Sequence, residues 1–183
     1  MIGEYRTIVA DPPWDLTWNV NVGVGRSGRK GLPYTTMSLE DICGLPVVEQ
    51  ASSSAHLWLW TTATFLYDAP RVALSWGFRP SYTLTWGKPG LGVGGRFRHT
   101  TEFFLFCERG PQLPLTRRDL PTHFIWPSGE HSAKPDAFYD LVESVSPGPY
   151  LELFARRQRL GWDTWGNEAL EHVVLAGQEG KPE

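Results

Sequence analysis

The sequence predicts an α/β fold, a mostly parallel sheet with helices on both faces. Strand-length apolar runs alternate along the chain with segments of helical period, the pattern of strands joined by crossover helices. The first run, which contains Ile8, Val9 and Ala10, has no polar alternation and suits a strand buried on both sides. At 183 residues the chain can bury one substantial core. One domain is therefore expected over 1–169, with a C-terminal tail over 170–183.

The first strand covers Tyr5–Ala10 and is ended by Pro12 and Pro13, which leaves Asp11 at its carboxyl end. Residues 18–33 have no clear period and mix four glycines with Arg26, Arg29 and Lys30, so a mobile loop is expected. Ser38 followed by Asp41 resembles a capping box, starting a short helix that ends near Gly44. A strand follows over 56–61. Leu66, Ala69, Val72, Ala73 and Trp76 then recur at helical spacing up to Gly77, with Pro70 either kinking that helix or lying in its first turn. Strands are expected over 81–86 and 102–107, separated by a glycine-rich loop carrying Lys88, Arg96, Arg98 and His99. After a strand over 123–126, Phe138, Leu141, Val142 and Val145 fall at i, i+3, i+4 and i+7, the clearest helix in the chain. Pro147, Gly148 and Pro149 stop it before a strand over 150–154. From about Leu170 onward a short helix and a loose tail are expected.

Composition narrows the function. Hydrophobic residues at 41% and charged residues at 20% describe a globular protein. A net charge of -3 excludes coating of nucleic acid by bulk electrostatics, so any such contact must use local basic segments. No secretory leader or membrane span is visible, and Cys43 and Cys107 lack the pairing of a zinc site or disulfide scaffold. A cytoplasmic protein without a metal site and without membrane contact is expected.

Asp11-Pro12-Pro13-Trp14 carries the chemistry. By residue frequencies this tetrapeptide should arise by chance only about once in several thousand chains of this size. An exocyclic amino nitrogen is a poor nucleophile because its lone pair is delocalised into the ring. Two acceptors on its two N–H bonds, the Asp11 carboxylate and the Pro12 carbonyl, would favour a tetrahedral nitrogen able to attack a sulfonium methyl. Proline suits that role because it fixes the backbone and adds no competing donor. Trp14 is expected to supply a stacking face. A hydrogen bond to the carboxylate is worth roughly 1.5–3 kcal/mol and a stacked base roughly 1–3 kcal/mol, so positioning against the methyl donor must supply a large share of the rate.

With IVADPPW, the chain contains LPYTTMS, HLWLWTT, WGKPGLG, HSAKPDAFY, SPGPYLELFAR and WGNE, in that order. This ordered set resembles the MT-A70 family of adenine N6 methyltransferases over residues 8–168. The resemblance implies a Rossmann-like S-adenosyl-L-methionine-dependent methyltransferase fold in permuted order, with the catalytic motif ahead of the cofactor-binding strand. It assigns Asp11, Pro12, Pro13 and Trp14 to catalysis and Tyr34 to the target base. Lys134 corresponds to the lysine on the cofactor's methionine carboxylate. Glu152, Phe154, Arg156 and Asn167 correspond to residues around the rest of the cofactor, beside Asp11. A lysine just ahead of a helix that begins at Pro135 is also a reasonable carboxylate site on physical grounds.

Arg26, Arg29 and Lys30 in one loop, and Lys88, Arg96 and Arg98 in the other, would form a basic rim for phosphates if both loops emerge beside Asp11. The target adenine would have to be flipped or single-stranded, since an amino group inside a duplex cannot reach such a pocket. The favoured reading is methylation of adenine in a nucleic acid, DNA ahead of RNA because the single-domain form resembles bacterial and phage enzymes. The competing reading is a catalytically silent nucleic-acid-binding subunit, and the chain could work as a homodimer or a heterodimer.

Overall fold

The computed structural model describes residues 3–15, 36–90, 97–128 and 133–166. Their elements are β1 (Tyr5–Ala10), α1 (Leu39–Cys43), α2 (Val47–Gln50), β2 (Ala51–Thr61), α3 (Ala69–Ser75), β3 (Arg79–Gly87), β4 (Thr101–Arg109), β5 (His123–Ile125), α4 (Asp136–Val145), β6 (Tyr150–Leu153) and β7 (Trp162–Trp165). The strands form one seven-stranded sheet in the order β5-β3-β4-β2-β1-β6-β7. Only β4 runs against its neighbours, pairing antiparallel with β2 and β3, while the β1–β2, β1–β6, β6–β7 and β3–β5 pairs are parallel. The expected mostly parallel sheet is therefore present.

Side-chain alternation sends two sets of apolar residues to opposite faces. Ile8, Ala10, Leu57, Leu59, Leu151 and Leu153 pack with Ile42 of α1 and Val72, Ala73 and Trp76 of α3. Val9, Trp58, Trp60, Trp86, Phe104 and Phe106 pack with Phe138, Leu141, Val142 and Val145 of α4. Helices thus cover both faces. The helical spacing read in α4 is the stripe it buries.

Local chemistry sets most boundaries. Asp41 N donates to Ser38 Oγ at 3.1 Å, the cap expected for α1. Pro70 lies in the first turn of α3, where its missing N–H costs little, so no kink arises. Strand β2 starts five residues before position 56, because Ala51 pairs with Tyr5 across a register shift that the polar Ser52, Ser53 and Ser54 conceal in the sequence. Strand β6 stops at Leu153 rather than at 154, since Phe154 turns into the left-handed region at φ 62°. Two elements went unforeseen. Helix α2 is a single turn, and β7 has two tryptophans flanking Asp163 and Thr164, a run without alternation and too short to signal a strand. The loop expected over 18–33 and the tail expected over 170–183 lie outside the described residues.

Candidate active site

The site follows from where the parallel strands end. Ala10 is in register with Leu59 and with Leu153, so Asp11, Trp60 and Phe154 come level at one edge of the sheet. The reversed β4 begins at that edge, since Phe103 is opposite Thr61, and this brings Glu102 there. Open α/β sheets hold ligands at this carboxyl edge, where connections depart on opposite faces. Strand alternation then places Asp11 on the same face as Val9, the face covered by α4.

Lys134, two residues ahead of α4, reaches Asp11 there: its Nζ donates to Asp11 Oδ2 at 2.6 Å. The same ammonium lies 3.5 Å from Glu102 Oε2 and 4.9 Å from the centre of the Trp60 ring. Glu102 also takes the ammonium of Lys88, which rests 4.6 Å from the centre of the Trp86 ring. Two lysines and two carboxylates thus alternate along one line, Lys88, Glu102, Lys134, Asp11. Burial pushes the Lys134 ammonium down, but Asp11 and Glu102 outweigh it and hold the group above the ordinary lysine value. Burial pushes Glu102 up, while Lys134 and Lys88 more than reverse it, so its carboxyl titrates below the usual glutamate value. Lys134 and Glu102 are thus both held in their charged forms by their neighbours on this line.

The motif's backbone is equally constrained. Trp14 N donates to Pro12 O at 2.9 Å, and Met37 N donates to Pro13 O at 2.9 Å. The Pro12 carbonyl therefore has one lone pair committed and one left for an incoming N–H. Trp14 departs from the role expected of it. It is 6% exposed, its indole N–H donates to Trp60 O at 3.2 Å, and its ring stacks on Phe65 with centroids 5.2 Å apart. The ring sits in the core on the α3 face, where it anchors the Asp-Pro-Pro turn and offers no open face to a base.

On the other side of β1, Glu152 of β6 is in register with Val9 and lies on the same face as Asp11. It is buried, accepts the Tyr139 hydroxyl at 2.6 Å through Oε1, and among the described residues has no hydrogen-bond partner on Oε2. Burial is the main cause that lifts its carboxyl to about 7, aided by the charge of Asp11 and opposed by the Tyr139 hydrogen bond, Arg157 and Arg159. Phe154 packs edge-on against Trp165 at 5.3 Å. Arg156 is half-buried and close enough for its charge to work against that of Lys134.

Asp11, Pro12, Lys134, Glu152, Phe154 and Arg156 are thus gathered at one edge of the sheet. Lys88 also reaches that edge, but as the partner of Glu102 rather than as an open phosphate contact. Arg98 is exposed on the same loop. Arg26, Arg29, Lys30, Tyr34, Arg96 and Asn167 lie outside the described residues. Glu102, Tyr139 and Trp60 escaped the sequence reading; the one available signal was Glu102 itself, a lone acid opening an otherwise apolar strand.

The MT-A70 family profile matches residues 5–168. The type II methyltransferase M.MunI of Mycoplasma sp is 28% identical over 97% of this chain and 83% of its own length. An N(6)-adenosine-methyltransferase MT-A70-like protein of Drosophila melanogaster is 26% identical over 98% of this chain and 29% of its own length. The N(6)-adenine-specific methyltransferase METTL4 of Homo sapiens is 29% identical over 92% of this chain and 39% of its own length. The chain spans most of the mycoplasmal protein and well under half of the other two.

Proposed function

The chain belongs to the MT-A70 family, and from that premise we propose that it transfers a methyl group from S-adenosylmethionine to the N6 amino group of adenine in a nucleic acid, DNA before RNA. The observation that carries this is the Asp11 carboxylate, fixed by Lys134 at 2.6 Å on the carboxyl edge of the central strand. The similarity to M.MunI over most of both chains supports DNA as the first substrate to test.

The residues at this edge fit the methyl donor. Glu152 offers a buried oxygen that no donor among the described residues reaches, suited to a ligand rich in hydroxyl or ammonium N–H groups. Lys134 offers a cation suited to a carboxylate. Lys134, Glu152, Phe154 and Arg156 would hold S-adenosylmethionine, with Asn167 completing the set, and the bound molecule supplies an electrophilic sulfonium methyl. Asp11 Oδ2 is taken by Lys134, so Oδ1 is the oxygen assigned to one amine N–H, and the second lone pair of the Pro12 carbonyl takes the other. Together they draw the nitrogen lone pair out of the ring. Asp11 is then the nearest base for the proton released as the new N–C bond forms. The base must be flipped or single-stranded to enter, with Tyr34 beside it and Arg26, Arg29, Lys30, Arg96 and Arg98 on the strand's phosphates.

The test is labelled methyl transfer to matched DNA and RNA oligonucleotides, followed by identification of the modified nucleoside. N6-methyladenine, with DNA preferred, is expected. Label on cytosine, or no transfer to any oligonucleotide, overturns the reaction, and a preference for RNA overturns the substrate order.

A further inference from the structure

With the Trp14 ring buried, any stacking on the substrate strand must come from rings that reach solvent at the catalytic edge. Tyr67 is 90% exposed and Phe97 is 86% exposed. Tyr67 belongs to the turn between β2 and α3, directly after the strand end that pairs with Phe103 beside Glu102. That turn is fastened to the catalytic motif: Phe65 stacks on Trp14, whose indole N–H is held by Trp60 O. Asp68 N and Ala69 N both donate to Phe65 O, at 3.0 and 2.9 Å, so the turn that displays Tyr67 is closed by its own backbone hydrogen bonds.

Phe97 belongs to the β3–β4 connection. The base of that connection is closed by Lys88 N donating to Thr100 O at 2.7 Å, and it is tied to Asp11 through Lys88, Glu102 and Lys134. Phe97 is followed by the exposed Arg98. An exposed ring beside a cation on a loop anchored to a catalytic carboxylate matches what single-stranded nucleic acid requires, a flat apolar face for a base next to a positive charge for its phosphate. Isolated exposed apolar residues are common on protein surfaces. These two differ in that their loops are separately clamped to the catalytic turn.

We propose that Tyr67 and Phe97 are stacking platforms for unpaired bases of the strand that carries the target adenine. The proposal rests on the nucleic-acid reading above and adds to it the residues that grip the strand outside the pocket. Because stacking uses the ring face alone, the Tyr67 hydroxyl is dispensable.

The experiment uses the full chain with a single-stranded oligonucleotide holding one adenine, flanked by a fluorescent purine analogue whose emission falls when it stacks. Tyr67→Ala and Phe97→Ala are each expected to raise the oligonucleotide KM by roughly tenfold, leave kcat and S-adenosylmethionine affinity within about twofold, and abolish part of the quenching. Tyr67→Phe should behave as wild type, and the melting temperature should not move in any variant. Unchanged KM and quenching in an alanine variant overturn the assignment of that ring, and failure of Tyr67→Phe to restore binding overturns stacking as the cause. If wild type binds with ring-dependent quenching but transfers no methyl, the enzymatic reading fails and the stacking stands. If it methylates and both rings are silent, the reverse holds.

Discussion

Replacing Glu152 by glutamine removes a buried titration and keeps the shape of the site. The wild-type carboxyl is lifted from 4.5 to about 7 by burial, with one oxygen accepting the Tyr139 hydroxyl and the other without a partner among the described residues. A folded-state value above the unfolded one means that the folded protein holds the proton more tightly. This contribution is complete below pH 4.5 and is lost as pH rises through about 7. At about 1.4 kcal/mol per pH unit, the loss is on the order of 3 kcal/mol. His56 titrates nearby with the opposite sign, because burial depresses it, so stability from that group falls as pH drops below 6.5. The informative quantity is therefore the wild-type stability minus that of Glu152→Gln, from denaturant unfolding without ligand at several pH values between 4.5 and 8. That difference should shift against the wild type by about 3 kcal/mol across the range and flatten above about pH 7.5. A difference that stays constant, or moves the other way, would refute the buried, proton-holding carboxyl.

Further outcomes follow from the same geometry. Glu102→Gln should destabilise the protein at neutral pH and converge with wild type in acid, because a depressed carboxyl stabilises above the ordinary glutamate value and is lost as pH falls through its own; parallel melting curves from pH 3 to 7 would contradict it. Lys134→Gln should cost roughly 1.5–3 kcal/mol of stability through the lost charged hydrogen bond to Asp11. It should also weaken S-adenosylmethionine binding in calorimetry, and unaltered binding would remove Lys134 from the donor site. Trp14→Phe keeps the packing on Phe65 but leaves Trp60 O without its donor, so a loss of about 1 kcal/mol is expected. If Trp14 instead stacked on the substrate, the oligonucleotide KM would rise while the melting temperature stayed fixed.

The first strand, the α4 stripe and the position of Asp11 at a strand's carboxyl end were legible because each is written in local sequence, as an apolar run, a helical period or a pair of prolines. The Lys134–Asp11 contact joins residues 123 positions apart. The motif order suggested a shared site, while the ion pair itself depends on how α4 lies on the sheet. Trp14 was misread for a related reason. Its place in the motif says that an indole is needed, whereas the parallel bridge to Met37 and the contact with Phe65 determine which way it turns. Lys88 looked like part of a basic rim because Glu102 is fourteen residues away in sequence and becomes its neighbour only when β3 and β4 pair. Strand β7 was hidden because it is four residues long and its pairing with β6 supplies what its composition does not.

Asp11→Ala, assayed for methyl transfer and for S-adenosylmethionine binding on the same preparation, tests the central claim most directly. Turnover is expected to fall by roughly a hundredfold or more while most of the cofactor affinity remains. Turnover near the wild-type rate would contradict the assignment of the Asp11 carboxylate to the reacting amine.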